Sequence, residues 1–233
     1  MATPAPQFLA LPTGPAQITW RRSARARRVS LRIDPRQGTV VITLPMRAAT
    51  SAGMALLKTH SAWVADRLAA LPAQTPLTDG AELPLHGKTV RIRHRADARG
   101  VAWLADGEIN VTGQPEHLAR RVRDFLRAEA LRRLSAMVAA KAGEYGLRVR
   151  RVAIKDTRSR WGSCTPDGTL MFSWRLVMAP TWVQDYVVAH EVAHLKHMNH
   201  GPRFWALVQQ MTPHTDQSVI WLRNEGPGLL RIG

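Results

Sequence analysis

The sequence predicts an α+β chain, and three observations carry that prediction. Up to about residue 113, apolar and polar residues alternate in short runs bounded by Gly and Pro, the period of strands. From Pro115 onward, long Ala- and Leu-rich stretches repeat at three and four, the period of helices with one buried side. Between residues 149 and 174 a strand–turn–strand pattern runs directly into a helix that carries H-E-x-x-H. The expected organisation is a flexible tail (1–17), a β-rich N-terminal region (18–113) and a metal-binding domain (114–233), the last with an antiparallel sheet packed on helices.

Residues 1–17 hold four prolines and few branched apolar residues, the composition of a tail. Residues 29–33 and 39–44 read as two antiparallel strands, with turn formers in 34–38 between them. Pro45 ends the second. Residues 51–71 read as one helix with Leu56, Leu57, His60, Trp63, Val64 and Leu68 on one face. Residues 72–80 have linker composition. Strands are expected over 83–94 and 101–112, with a turn at 97–100. Pro115 opens a helix to about Glu144, striped by Leu118, Val122, Phe125, Leu126, Leu131 and Leu134, and Gly143 and Gly146 mark its end. Residues 149–154 form a strand. Thr165-Pro166-Asp167-Gly168 is a hairpin turn, because Pro presets φ, Asp bonds locally and Gly accepts a positive φ. Residues 169–174 continue as a strand, Pro180 and Thr181 start the next helix, and two short amphipathic helices follow, around 204–211 and 219–222.

The stretch from His190 to His200 organises the chemistry. His190 and His194 are four apart, so a helix projects both imidazoles from one face, as two ligands of one Zn²⁺ require. Glu191 follows the first ligand, about 100° round the helix, where it can take a proton without itself being a ligand. Asn199-His200-Gly201-Pro202 reads as a helix stop, and a chain turning back there brings His200 to the metal as third ligand. The fourth position stays open, the mark of a catalytic site. His197 shares the face of His190 on a continuous helix, but lies about 10.5 Å along the axis. It is therefore read as outside the ligand set.

At 233 residues and 45% hydrophobic, the chain can bury a substantial core. Its single cysteine, Cys164, excludes an internal disulfide and fits a reducing cytoplasm. No signal peptide and no membrane span are expected. The formal charge of +16 attracts polyanions, including nucleic acid, without specificity. Of 33 basic residues 28 are Arg, and Ala is abundant, which a GC-rich coding bias also produces.

The runs Arg160-Trp161-Gly162-Ser163-Cys164, Ser173-Trp174-Arg175-Leu176, Asp185 through Glu191, His194-Leu195 and Asn199-His200-Gly201-Pro202-Arg203-Phe204-Trp205 resemble the YgjP-like metallopeptidases. The similarity extends from about Arg21 onward and is densest over 155–223. The segment after Asn199 is also similar to SprT-type and WLM-type zinc proteases. The resemblance implies a zincin-like core, one zinc per chain held by His190, His194 and His200, Glu191 as catalytic base and a peptide or protein substrate. His197 stands where the long metzincin pattern has Gly, so Asn199 and Gly201 would have to make the turn.

On this reading the oxyanion stabiliser is one of Tyr186, Lys155, Arg158 and Arg160, and zincin analogy makes 169–174 an edge strand that could add an extended peptide. Two alternatives stand beside the peptidase. One is a metal-dependent nucleotide phosphoanhydride hydrolase (a pyrophosphatase) with Lys155, Arg158, Arg160 and Arg175 on phosphate. The other is a nucleic-acid-binding protein with a structural zinc.

Overall fold

The computed structural model describes residues 7–11, 14–157 and 160–233. The chain divides into two compact units, Met1–Ala73 and Gln74–Gly233.

In the first unit, β1 (Gln7–Leu11), β2 (Gly14–Ser23), β3 (Ser30–Asp34) and β4 (Thr39–Pro45) form one sheet in the order β1-β2-β4-β3. The hairpin expected over 29–44 is β3–β4, closed where the Gly38 N–H donates to Asp34 O at 2.9 Å and Gly38 takes φ 65°. The tail expected over 1–17 is corrected. Gln7–Leu11 pairs antiparallel with Gly14–Ile18, while residues 1–6, 12 and 13 lie outside the described residues. Main-chain pairing, which composition does not report, overrides the proline count there.

The single helix expected over 51–71 is two, α1 (Thr50–Thr59) and α2 (Ser61–Ala69), broken at exposed His60 (φ −107°, ψ 20°). The break lets Leu57, Val64 and Ala65 all reach Ala16, Ile18, Val40, Ile42 and Leu44 on one sheet face. Trp63, assigned to the buried face, is instead 43% exposed. A Cβ at Gly53 would lie 2.6 Å from the Trp20 ring, so α1 approaches the sheet too closely for any side chain there.

The second unit begins with two hairpins where two long strands were expected. β5 (Glu82–Leu85) and β6 (Lys88–His94) turn at His86-Gly87, and β7 (Ala102–Ala105) and β8 (Glu108–Val111) turn at Asp106-Gly107. All four turn residues have positive φ, between 51° and 78°, the geometry of a tight type I′ loop. The sheet order is β5-β6-β8-β7.

α3 (Leu118–Glu144) buries Leu118, Val122, Leu126, Ala130, Leu134, Val138 and Ala142, one residue every fourth. Leu131, placed on the stripe by sequence, is 44% exposed. These side chains join Leu83, Leu85, Ile92, Ile109 and Val111 in one core. That shared core is why the division falls at Ala73/Gln74 and not near residue 113. At about 1.5–3 kcal/mol for each fully buried aliphatic, the hairpins and α3 hold together as one unit.

β9 (Arg151–Lys155), β10 (Gly162–Cys164) and β11 (Thr169–Ser173) form a second sheet in the order β10-β11-β9. β10 and β11 are joined antiparallel through the Thr165–Gly168 turn, with Gly168 at φ 81°. The sheets expected to be antiparallel are mixed, because β9–β11, β6–β8 and β2–β4 are parallel pairs. A 3-10 turn over Trp174–Met178 leads into α4 (Thr181–Ala193), followed by α5 (Pro202–Met211), α6 (Thr215–Asn224) and α7 (Gly226–Leu229). Among the described residues no helix is long and apolar enough to cross a membrane.

Candidate metal centre

α4 is buried on most sides, with Val183, Tyr186, Val187, Val188, Ala189, Val192 and Ala193 in the core. Its N-terminus is clamped. Gln184, fully buried, donates from Nε2 to Val177 O and Ala179 O at 3.2 and 2.7 Å and accepts from Arg133 Nε at 2.9 Å. His190 and Glu191 lie on the last turn, and His194 is the C-cap.

The helix stops earlier than the sequence suggested. The Leu195 and Lys196 N–H groups bond three residues back, to Val192 O and Ala193 O, and the chain leaves the helical path. Gly201 then caps α5 in extended geometry (φ −80°, ψ 179°), so no left-handed glycine makes the turn.

This turn delivers His200 to the other two imidazoles. The His190 and His200 Nε2 atoms are 3.1 Å apart, and the ligand atoms of His190, His194 and His200 all lie within 4.8 Å of one another. Three nitrogens about 2.0–2.1 Å from one tetrahedral ion stand roughly 3.3 Å apart, so the set needs little adjustment to hold a metal. The His194 Nδ1–H donates to His197 O at 3.0 Å, which leaves Nε2 as its ligand atom. His197 meets His194 through its carbonyl, and the cluster that could hold a metal is His190, His194 and His200. Phe204 packs its ring 4.5–4.9 Å from all three imidazole centroids.

Glu191 is 5% exposed, and its Oε2 has no hydrogen-bond partner among the described residues. Burial pushes its carboxyl up to about 8, opposed by the charge of Arg160. Burial, with His194 and His200 beside it, pulls His190 down to about 4. Both shifts favour the neutral form of the group, as burial does for any ionisable side chain. A Cβ on Gly162 would fall 2.5 Å from Glu191 Oε1, so the carboxylate occupies the space a side chain on β10 would fill. The orphaned oxygen, the all-imidazole donor set and the solvent-facing His200 fit a divalent metal with an open position.

The site opens into a cleft of about 340 Å³, lined by the three histidines and Glu191 with Arg160, Gly162, Ser163, Cys164 and Met198. Of the four candidate oxyanion stabilisers, Arg160 lines this cleft. Tyr186 is buried with its ring edge-on to His190, centroids 6.0 Å apart, and Lys155 is exposed at the end of β9; neither lines the cleft. Arg158 lies outside the described residues. Arg175, considered as a phosphate clamp, is fully buried and spent on Asp156, Ile232 O and Gly233 O.

The edge strand is also reassigned. β11 is central, and the strand at the edge, contributing Gly162, Ser163 and Cys164 to the cleft, is β10. Sequence reasoning missed the β10 wall and Met198. The run Arg160 through Cys164 was visible as a motif, but only its pairing with β11 shows that it faces the helix.

No curated protein matches the chain. Among solved structures, the crystal structure of the metallopeptidase zymogen of Pyrococcus abyssi abylysin is similar at 20% identity and a TM-score of 0.35, over 40% of this chain and 92% of that one. A family model described as "YgjP-like, metallopeptidase domain" matches residues 27–225, and the chain belongs to that family.

Proposed function

We propose that this chain hydrolyses peptide bonds with a zinc ion held by His190, His194 and His200 and with Glu191 as general base. The observation that carries this reading is the convergence of three imidazoles beside a buried carboxylate in one open cleft. Nitrogen-only ligation by three histidines suits zinc, and such an ion supplies Lewis acidity and acidifies water when bound.

The chain's own groups do the rest. Glu191, which lines the cleft, accepts a proton from water there and returns it to the leaving amine. The β10 edge receives an extended peptide by main-chain hydrogen bonds, which sets the scissile bond across the cleft. Arg160 faces the same space and is the cation placed to meet negative charge developing on the carbonyl oxygen. The setting is cytoplasmic, in keeping with one free thiol, Cys164.

The nucleotide-hydrolase alternative loses support, because Arg175 is committed to the protein interior and, among the described residues of the proposed phosphate clamp, only Arg160 lines the cleft. The test pairs metal analysis with incubation on casein and on nucleoside triphosphates, with and without chelator, for wild type and Glu191→Gln. Chelator-sensitive cleavage of casein, lost in Glu191→Gln at undiminished metal content, is expected. Turnover retained by Glu191→Gln, or consumption of triphosphates without cleavage of casein, rejects the assignment.

A further inference from the structure

The basic residues are unevenly set against acids. The N-terminal unit holds ten of the chain's 33 Lys and Arg but only two of its 17 Asp and Glu, Asp34 and Asp66. A coding bias toward Arg would enrich arginine throughout the chain. It would not strip carboxylates from one unit.

The strand register sorts these residues onto one face. α1 and α2 cover the sheet face that carries Ile18, Val40, Ile42 and Leu44. The opposite face carries the rows Thr19–Val41–Arg32 and Arg21–Thr43–Ser30, and farther along β2 Gln17 stands opposite Phe8. Arg21, Arg32, Thr19 and Ser30 are exposed, and Phe8 is 59% exposed. Arg25, Arg27 and Arg28 are exposed on the β2–β3 connection, which leaves the sheet next to the Arg21 row. The one acid on this face, Asp34, is 1% exposed, and its Oδ1 accepts from the Arg36 N–H. Asp66 is on α2, on the covered side.

Thr39 and Val41 on this face are buried; we propose that its exposed part, around Thr19, Arg21, Ser30 and Arg32, binds single-stranded nucleic acid. Arg21 and Arg32 lie two strands across and two residues along from each other, roughly 12 Å, and Phe8 lies roughly 13 Å along the strands from Arg21. Guanidinium forks match phosphate oxygens, and the flanking hydroxyls of Thr19, Ser30 and Thr43 add neutral donors. Phe8 offers a platform on which a base stacks. A flat sheet face has no element to enter a duplex groove, which favours a single strand. A membrane surface would call for several exposed large apolar groups, and Phe8 is the single aromatic on this face. The inference is independent of the peptidase reading, because binding is measured without turnover.

The test is fluorescence anisotropy of a dye-labelled 20-nucleotide oligo(dT) with the full chain over a series of salt concentrations. Arg21→Glu/Arg32→Glu weakens binding at least tenfold and lowers the slope of log K against log salt by about 1.4, two phosphates at about 0.7 each. Phe8→Ala weakens binding about tenfold at unchanged slope. Arg148→Glu/Arg223→Glu, an equal charge change at exposed positions of the other unit, leaves affinity within threefold. Circular dichroism monitors folding, and Arg21→Gln/Arg32→Gln serves if the Glu pair misfolds. Equal losses from both double variants would show attraction to net charge alone and overturn the proposal. So would binding to phosphatidylserine vesicles without binding to the oligonucleotide, or duplex DNA bound more tightly than oligo(dT).

Discussion

Gly162→Ala tests the proposed active-site geometry most sharply, because it acts on Glu191 without touching a proposed metal ligand. The added Cβ would stand 2.5 Å from Glu191 Oε1, 2.6 Å from Cγ and 2.8 Å from Cδ. Ordinary contact begins near 3.4 Å, so the carboxylate must retreat by about 0.9 Å or push β10 away. Glu191 is 5% exposed and has little room to retreat. A displacement of about 1 Å in a catalytic group costs about 100-fold in rate, which corresponds to about 2.7 kcal/mol of barrier. The expected result is kcat on a peptide substrate down about 100-fold, with one metal per chain retained and KM changed little. Gly143→Ala on α3, where a Cβ meets nothing within 4 Å, should leave kcat unchanged and raise Tm slightly. If Gly162→Ala kept kcat within threefold of wild type with metal bound, the carboxylate would not be the base.

Other perturbations reach different parts of the same unit. Burial and Arg133 pull His86 below 6.5, and bonding to Arg132 pulls Glu129 below 4.5, while the His86 and Glu129 side chains meet at 3.0 Å. In both cases the unfolded chain takes up the proton first, so stability falls with acidification, from about 6.5 downward for His86 and from about 4.5 downward for Glu129. His86→Asn, which tolerates the φ of 53°, should flatten the fall of Tm between pH 7 and 5; an unchanged slope would exclude His86 as its source. Arg175→Met removes the buried guanidinium that donates to Asp156, Ile232 O and Gly233 O, leaving Asp156 the Trp174 Nε1 donor, and urea denaturation should show a loss of about 3 kcal/mol. Dialysis against chelator should lower Tm, and zinc restored at 1,000 times its Kd should return about 4 kcal/mol; a Tm indifferent to zinc would mean the three imidazoles hold none.

Much of the site was legible in the sequence because it is carried by local spacing. The four-residue step from His190 to His194 imposes a shared helix face, and Pro202 forces a new helix start after His200. The parallel pairs were not legible, since alternation along a strand is the same whichever way its neighbour runs. His86-Gly87 and Asp106-Gly107 passed unmarked because two-residue turns interrupt the alternation too briefly, although the Asp-Gly pair is a known hairpin signal. The break at His60 has no Gly or Pro, and what accounts for it is that α1 and α2 both pack on the one sheet face. β10 carries three residues, too few for any period, so its place in the cleft wall had to come from its partner β11.

The early end of α4 explains how a linear motif becomes a three-sided site. Had the helix run on, His200 would sit ten residues and about 15 Å along the axis from His190, out of reach of any shared ion. Stopping at Ala193 reverses the chain within one turn, and the same reversal brings the His197 carbonyl under His194 Nδ1. One break therefore delivers the third imidazole and fixes the tautomer of the second. α5 completes the arrangement from the other side, because its first turn places Phe204 against all three rings. An apolar wall restrains the imidazoles by packing, and among the described residues the buried Nδ1 of His190 has no hydrogen-bond partner. The orientation of His190 thus depends on shape and that of His194 on a hydrogen bond, so mutations of Phe204 should loosen the former before the latter.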